Sequence, residues 1–103
     1  MAKTRTDLAN RALAKLLIVG SGQSPEADDT EKVDGVIDSF SEFISGIGIY
    51  TISDLEDIEE AAFEWLALYL AYFIATDFGR PQDDAMRQAA EYNLIRLNAN
   101  FLH

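Results

Sequence analysis

The sequence contains no cysteine and a single histidine, His103. The lack of cysteine excludes disulfides, thiolate zinc sites, iron–sulfur clusters and cysteine nucleophiles within this chain. With one histidine, we expect neither a multi-histidine metal site nor a Ser–His–Asp arrangement. The longest uncharged apolar run, residues 65–76, is too short to span a bilayer, so no membrane association is predicted.

Positive charge is also scarce, and it is unevenly placed. The sequence has eight basic and 18 acidic residues, which gives a net charge of −10. Residues 1–25 sum to +3, residues 26–64 to −12 and residues 65–103 to −1. A chain this acidic repels nucleic acid over most of its surface, so sequence-specific DNA binding is not expected.

Apolar residues recur at helical spacing in four segments. The chain has 103 residues, of which 49% are hydrophobic, which suffices for one small domain with one core. The predicted helices cover residues 6–18, residues 25–45, a third segment that begins between 54 and 58 and stops at Gly79 and Pro81, and a fourth from Asp83 or Asp84 to about residue 98. The predicted fold is all-α: one compact four-helix domain over 1–103, with a short tail at 98–103.

Capping residues set the expected helix ends, and a β-prone segment follows the second helix. The expected N-caps are Thr4 or Thr6, Ser24 before Pro25, and the capping boxes Ser53-x-x-Glu56 or Asp57-x-x-Glu60. Gly46 is the expected C-terminal cap of the second helix. Residues 47–52 are predicted to form one extended connector, with Ile47, Ile49 and Thr51 on the same side.

The third helix is apolar on every side from residue 65 to residue 75, which predicts that it is surrounded. Such a helix and an apolar connector carry more apolar surface than a domain of this size readily buries. We therefore expect other copies of the chain to cover the excess. The residues predicted to lie at that subunit interface are Arg11, Lys15, Ile47, Ile49, Tyr50, Ile52, Trp65, Tyr69 and Tyr72. Of these, Arg11 and Lys15 are expected to contact the acidic middle segment of a neighbouring copy.

Motifs that suggest catalysis or metal binding are incomplete. Residues 16–25 begin like a dinucleotide fingerprint, but proline occupies the third glycine position and no βαβ unit follows. Residues 28–41 fail as a calcium loop because non-ligand residues occupy required positions. Glu31, Asp34 and Asp38 share a helix face and would hold a divalent cation only weakly. We predict no catalytic, metal-binding or cofactor-binding residue, and no enzymatic activity.

Four short motifs, taken in order, resemble a known family. They are Asp7-Leu-Ala-Asn-Arg-Ala-Leu-Ala-Lys-Leu, Gly22-Gln-Ser-Pro-Glu-Ala-Asp-Asp, Gly48-Ile-Tyr50, and Ala62-Phe63…Leu70-Ala…Asp77-Phe78-Gly79. Their order and spacing, over about residues 6–97, are similar to those of the head-to-tail adaptor proteins of tailed bacteriophages, also called head completion, tail accessory or packaged-DNA stabilisation proteins.

The resemblance implies a structural virion protein that joins the head to the tail. Copies would form a ring of about twelve beneath the portal protein, contact a tail or neck protein, and continue a channel through which DNA passes without specific binding. The protein would lie in the host cytoplasm during assembly and in the virion neck afterwards. Portal contact by C-terminal segments would map onto Asn98, Asn100, Phe101, Leu102 and His103.

The acidic stretch at residues 54–64 also favours a different class of function. A small acidic regulatory protein can mimic DNA and bind a nucleic-acid enzyme in its place. Size-exclusion light scattering with a purified portal distinguishes the two hypotheses, because only the adaptor is expected to form a stoichiometric complex with it.

Overall fold

Four helices form the part of the chain that the structure describes. In the computed structural model this part comprises residues 3–16 and 26–101, with side chains up to residue 98. The helices are α1 (Arg5–Lys15), α2 (Ala27–Gly46), α3 (Glu60–Ile74) and α4 (Asp84–Phe101), and a 3-10 turn, Ala75–Phe78, continues α3. The all-α prediction with four helices is confirmed.

α1 begins with a reciprocal cap around Thr4. The backbone N–H of Asp7 donates to Thr4 Oγ1 at 3.3 Å, and the N–H of Thr4 donates to Asp7 Oδ2 at 3.0 Å. Each side chain thereby satisfies a donor that the first helical turn leaves unpaired. Thr4, one of the two expected caps, is therefore the N-cap. The expected cap of α2, Ser24 with Pro25, lies outside the described residues.

α3 begins at Glu60, two to six residues later than predicted, and neither expected capping box forms. Asp54 explains the delay, because its Oδ1 accepts the N–H of Glu56 at 2.9 Å and its carbonyl accepts the N–H of Asp57 at 3.1 Å. This local turn uses donors that a helix would need. The N–H of Ile58 then donates to the carbonyl of Lys3 at 2.8 Å, which ties the segment to the N-terminus.

Gly48, and not Gly46, terminates α2. The φ of Gly48 is +80°, and its N–H donates to the carbonyl of Ser45 at 3.1 Å. The next N–H, that of Ile49, donates to the carbonyl of Ile44 at 2.9 Å. These two bonds close the helix in a Schellman motif, in which glycine takes the left-handed position. Gly46 is still within the helix, so the predicted cap is wrong by two residues.

The connector after α2 therefore begins with a turn at Gly48 and is not extended over its whole length. The left-handed glycine reverses the direction of the side chains, so that Ile47 is 51% exposed while Ile49 is buried. Thr51 is exposed as well. The prediction that Ile47, Ile49 and Thr51 share one side is wrong, because alternation requires extended backbone at every position.

α3 is the central helix, and none of its residues from 65 to 75 is exposed. It packs against α1 and α4 most extensively, and against α2 through an aromatic cluster. The Phe40 ring meets Tyr69 at 5.8 Å and Phe73 at 5.6 Å between centroids, both edge to face. By length and composition, Glu60–Phe78 would also qualify as a membrane span, but half of it is buried within the fold, as in a core helix.

α4 is longer than predicted. It extends to Phe101, whereas the sequence pattern placed its end near residue 98 and a short tail after it. Residues 98–101 of the predicted tail are therefore helical, and Leu102 and His103 lie outside the described residues.

Candidate interaction surfaces

A groove lies between the α2–α3 connector and the end of α4. We call it the connector groove, and its lining residues are Tyr50, Thr51, Ile52, Ser53, Asp57, Ile58, Glu59 and Asn98. Its cavity volume is about 280 Å³. That volume is just under the range of about 300–1,000 Å³ for small-molecule pockets, which makes it more suitable for one or two inserted side chains.

The floor of the connector groove is fixed by a buried tyrosine. Tyr50 Oη donates to Glu59 Oε2 at 2.6 Å, which joins the connector to the residue that precedes α3. Burial, together with this hydrogen bond to a carboxylate, raises the pKa of the Tyr50 phenol well above its ordinary value, so the hydroxyl remains a donor.

The connector groove is electronegative. Asp57 and Glu59 contribute two carboxylates, and none of the lining residues is a cation. The Asp57 side chain is exposed and makes no ion pair or hydrogen bond with any residue of the described ranges. Lys3, whose backbone borders Ile58, turns its ammonium to the Phe63 ring, 5.1 Å from the centroid. A partner that enters the groove would meet one uncompensated carboxylate beside apolar walls.

A second surface lies on the outer side of α4. Tyr92 is 62% exposed and Ile95 is 46% exposed. The Arg96 guanidinium lies over the Tyr92 ring, 5.5 Å from its centroid. We call these three residues the α4 patch. Aromatic rings and guanidinium groups are enriched at protein interfaces.

The end of α2 carries a smaller apolar surface. Phe43 is 45% exposed and rests on the Phe73 ring at 5.8 Å, and Ile47 is exposed beyond it. Ile47 is therefore accessible in this fold, and its place at a subunit interface stays a prediction. Trp65, Tyr72 and Ile52 are half-buried against the core and remain partly available.

Three of the predicted interface residues pack mainly within their own copy, and of these only Tyr50 also lines the connector groove. Ile49, Tyr50 and Tyr69 are all buried within the chain itself. Tyr69 Oη donates to Glu91 Oε2 at 2.7 Å, so even its polar tip is satisfied by α4. The sequence pattern could not separate these residues from exposed ones, because it shows that a helix is apolar all round but not which neighbours cover it.

The two predicted interface cations pair within the chain. Glu64 Oε1 lies 3.0 Å from Arg11 Nε and 3.0 Å from Lys15 Nζ, so α1 and α3 are joined by a three-residue ion pair. Partial burial by itself would raise the pKa of Glu64, but the hydrogen bonds from Lys15 and Arg11 outweigh it and lower the pKa. Both cations thus already have a carboxylate partner inside one copy, and their contact with a neighbouring copy stays a prediction.

On the acidic face of α2, one arginine pairs with two carboxylates. Arg5 Nε lies 2.8 Å from Asp34 Oδ1, and Arg5 Nη1 lies 3.2 Å from Asp38 Oδ1. A guanidinium therefore occupies the side of these carboxylates that a divalent cation would need, which weakens the alternative of a metal site with Glu31. Within the described ranges, no three acidic or histidine residues converge as metal ligands.

The predicted portal-docking residues are described only in part. Asn98 is half-buried and lines the connector groove. Asn100 and Phe101 belong to α4, but their side chains, like Leu102 and His103, lie outside the described residues. The groove thus joins one predicted docking residue to the connector, a juxtaposition that the sequence did not indicate.

The α4 patch was missed in the sequence. The sequence does contain an indication of this patch, because Tyr92 and Arg96 are four residues apart, and that spacing places an aromatic ring and a cation on one helix face. The comparisons with known proteins add no assignment, because no protein-family model, no curated protein and no solved structure matches the chain. Candidate functions therefore rest on these surfaces and on the resemblance of the motifs.

Proposed function

We propose that the protein is a structural subunit that assembles with copies of itself and joins two larger components, as a head-to-tail adaptor of a tailed bacteriophage does. The observation that carries the proposal is the connector groove, which brings together a predicted subunit-contact residue, Ile52, and a predicted docking residue, Asn98. Grooves of this kind, with apolar walls and an unpaired charge, suit recognition of a protein side chain.

The distribution of charge supports a channel-forming role. Cations of α1 are engaged with carboxylates of the same chain, while the acidic residues between positions 54 and 60 remain exposed. A ring of such subunits would present an acidic surface, which offers phosphate groups no counterion-releasing contact. DNA would pass such a surface without being held.

The test combines the full chain with a purified portal protein of a tailed bacteriophage. We expect a stoichiometric complex by size-exclusion light scattering, and a ring of subunits below the portal by electron microscopy. Phe101→Ser, at a predicted docking residue, should weaken portal binding, whereas Phe43→Ser, which removes an exposed phenylalanine from α2, should leave it unchanged. A chain that ignores the portal at every concentration tested would contradict the adaptor function.

One observation favours the acidic regulatory alternative. Asp54, Glu56, Asp57, Glu59 and Glu60 are all exposed along a short segment, as phosphate-like charges would be in a DNA mimic. That function predicts a stable monomer or dimer that ignores the portal, binds a polymerase or nuclease, and is displaced from it by double-stranded DNA. A portal complex with no competition by DNA would favour the adaptor.

A further inference from the structure

We infer that the α4 patch of one copy docks into the connector groove of the next, so that one kind of contact repeats around the assembly. The inference rests on the proposed function, since it names the two surfaces through which adaptor subunits meet. The occupant of the groove is a second copy of this chain, and its contacting residues are Tyr92, Ile95 and Arg96.

Charge complementarity is the first argument. Arg5, Arg11, Lys15 and Arg87 each lie within ion-pairing distance of a carboxylate of the same chain. Arg96, like Lys3 and Lys32, has no carboxylate at that distance among the described residues, and its guanidinium lies over the Tyr92 ring. In the connector groove, the Asp57 carboxylate has no cation within ion-pairing distance among the described residues. Such complementary charges fix the register of an interface and speed its formation.

Shape and polarity are the second argument. The α4 patch presents two exposed apolar side chains beside its cation, and the groove presents the half-buried Ile52, over the buried Ile58, beside its carboxylates. The groove volume of about 280 Å³ suits inserted side chains better than a cofactor. Burial of Tyr92 and Ile95 would remove apolar surface that the single copy leaves in water.

Helix geometry supplies the third argument. Asn98 lines the groove, and a rotation of about 100° per residue places Tyr92 and Arg96 about 120–160° around α4 from Asn98, whereas Ile95 lies about 60° from it. Tyr92 and Arg96 therefore face away from the groove of their own copy. When each copy offers its patch to one neighbour and its groove to the other, the contact is heterologous, and it generates a closed ring if the rotation between copies closes.

Disulfide trapping tests this contact directly, since the chain has no cysteine of its own. One preparation carries Ile95→Cys and the other carries Ser53→Cys, and the two are mixed with portal and oxidised mildly. We expect a mixed dimer of the two variants. Ser39→Cys, on the exposed side of α2, is the matched control and should give no mixed dimer with Ile95→Cys. Equal trapping at position 39 would overturn the inference.

Exchange of the charges at Arg96 and Asp57 provides the second test. Its double variant shows whether a loss of ring formation comes from the contact or from a defect in folding. Arg96→Glu places like charges at the contact and should reduce ring formation on the order of tenfold or more, as should Asp57→Arg. The double variant keeps the net charge of −10 and should restore ring formation to nearly the native yield. Helix content by circular dichroism should match the native chain in all three.

The outcomes separate this inference from the proposed function. Rings on the portal that form equally well with either single charge variant would overturn the patch-to-groove contact and leave the adaptor function standing. Rings lost in both single variants but not restored in the double variant would also overturn it. Failure of the native chain to bind portal or form a ring contradicts the adaptor function, and the inference falls with it.

Discussion

Two phenylalanines on α2 offer a sharp test of the described packing. Phe40 and Phe43 are one helical turn apart, but Phe40 is fully buried between two aromatic rings and Phe43 is 45% exposed. Both contact Phe73. Substitution of each by alanine removes the same atoms from the same helix, so the difference between the two variants isolates burial.

The expected magnitudes follow from that burial. Phe40→Ala removes a fully buried ring and leaves a cavity, which costs about 3–5 kcal/mol of unfolding free energy. Phe43→Ala removes a half-buried ring and leaves no enclosed cavity, which costs about 1 kcal/mol. Since domains of this size unfold with about 5–15 kcal/mol, the first variant should be close to its folding limit and the second should be stable.

Urea denaturation measures both values. With a denaturant slope of about 1.5 kcal/mol/M, the midpoint should fall by about 2–3 M for Phe40→Ala and by less than about 1 M for Phe43→Ala. Circular dichroism and the fluorescence of Trp65, the only tryptophan, should report the same transition if unfolding is two-state. Phe40→Leu, which keeps apolar bulk, is the control and should lose less than the alanine variant. Equal losses at positions 40 and 43 would refute the packing of α2 on α3.

Three further predictions concern single contacts. The pKa of Glu64 is lower in the folded protein than in the unfolded chain. Glu64 therefore stabilises the fold at pH values above its unfolded pKa of about 4.3, and this stabilisation is lost as the pH falls through the folded pKa. Glu64→Gln should therefore cost up to about 1 kcal/mol at neutral pH and almost nothing near pH 3, measured by urea unfolding at both; equal costs would refute the ion pair. Tyr69→Phe loses the hydrogen bond to Glu91 and should cost about 1–2 kcal/mol in the same assay, while no loss would contradict that bond. In thermal melts, Gly46→Ala should stabilise by about 0.5–1 kcal/mol because its site is helical and open, whereas Gly48→Ala should destabilise because of its positive φ; the reverse order would contradict the cap.

The helices could be predicted because their signals are local. Periodic apolar residues and caps such as Thr4 act within a few positions of the chain, and the structure contains the predicted Thr4 cap. The start of α3 could not be predicted in this way. Asp54 closes a turn through its own side chain, and Ile58 pairs with a backbone 55 positions earlier, at Lys3. A capping motif at residues 53–60 is visible in the sequence, but the competing contacts are not.

The candidate interaction residues were harder to predict, for a physical reason. Opposite charges in one sequence indicate that pairs will form, but not whether they form within a copy or between copies. Arg5 finds Asp34 across 29 positions because α1 and α2 pack against each other, which composition does not reveal. Likewise, Tyr69 and Trp65 look equivalent in the sequence, yet only Trp65 retains accessible surface.

The internal pairing of the α1 cations has a consequence for assembly that salt dependence can test. Copies with a net charge of −10 repel each other at long range, while the proposed contact of Arg96 with Asp57 is a short one between apolar walls. Salt screens charges beyond about 10 Å at 0.1 M and affects close, partly buried pairs much less. Moderate salt should therefore promote ring formation, with a decline only at high salt. Light scattering of portal complexes across a salt series measures this, and a steady fall from the lowest salt upward would show that exposed ion pairs hold the copies together instead.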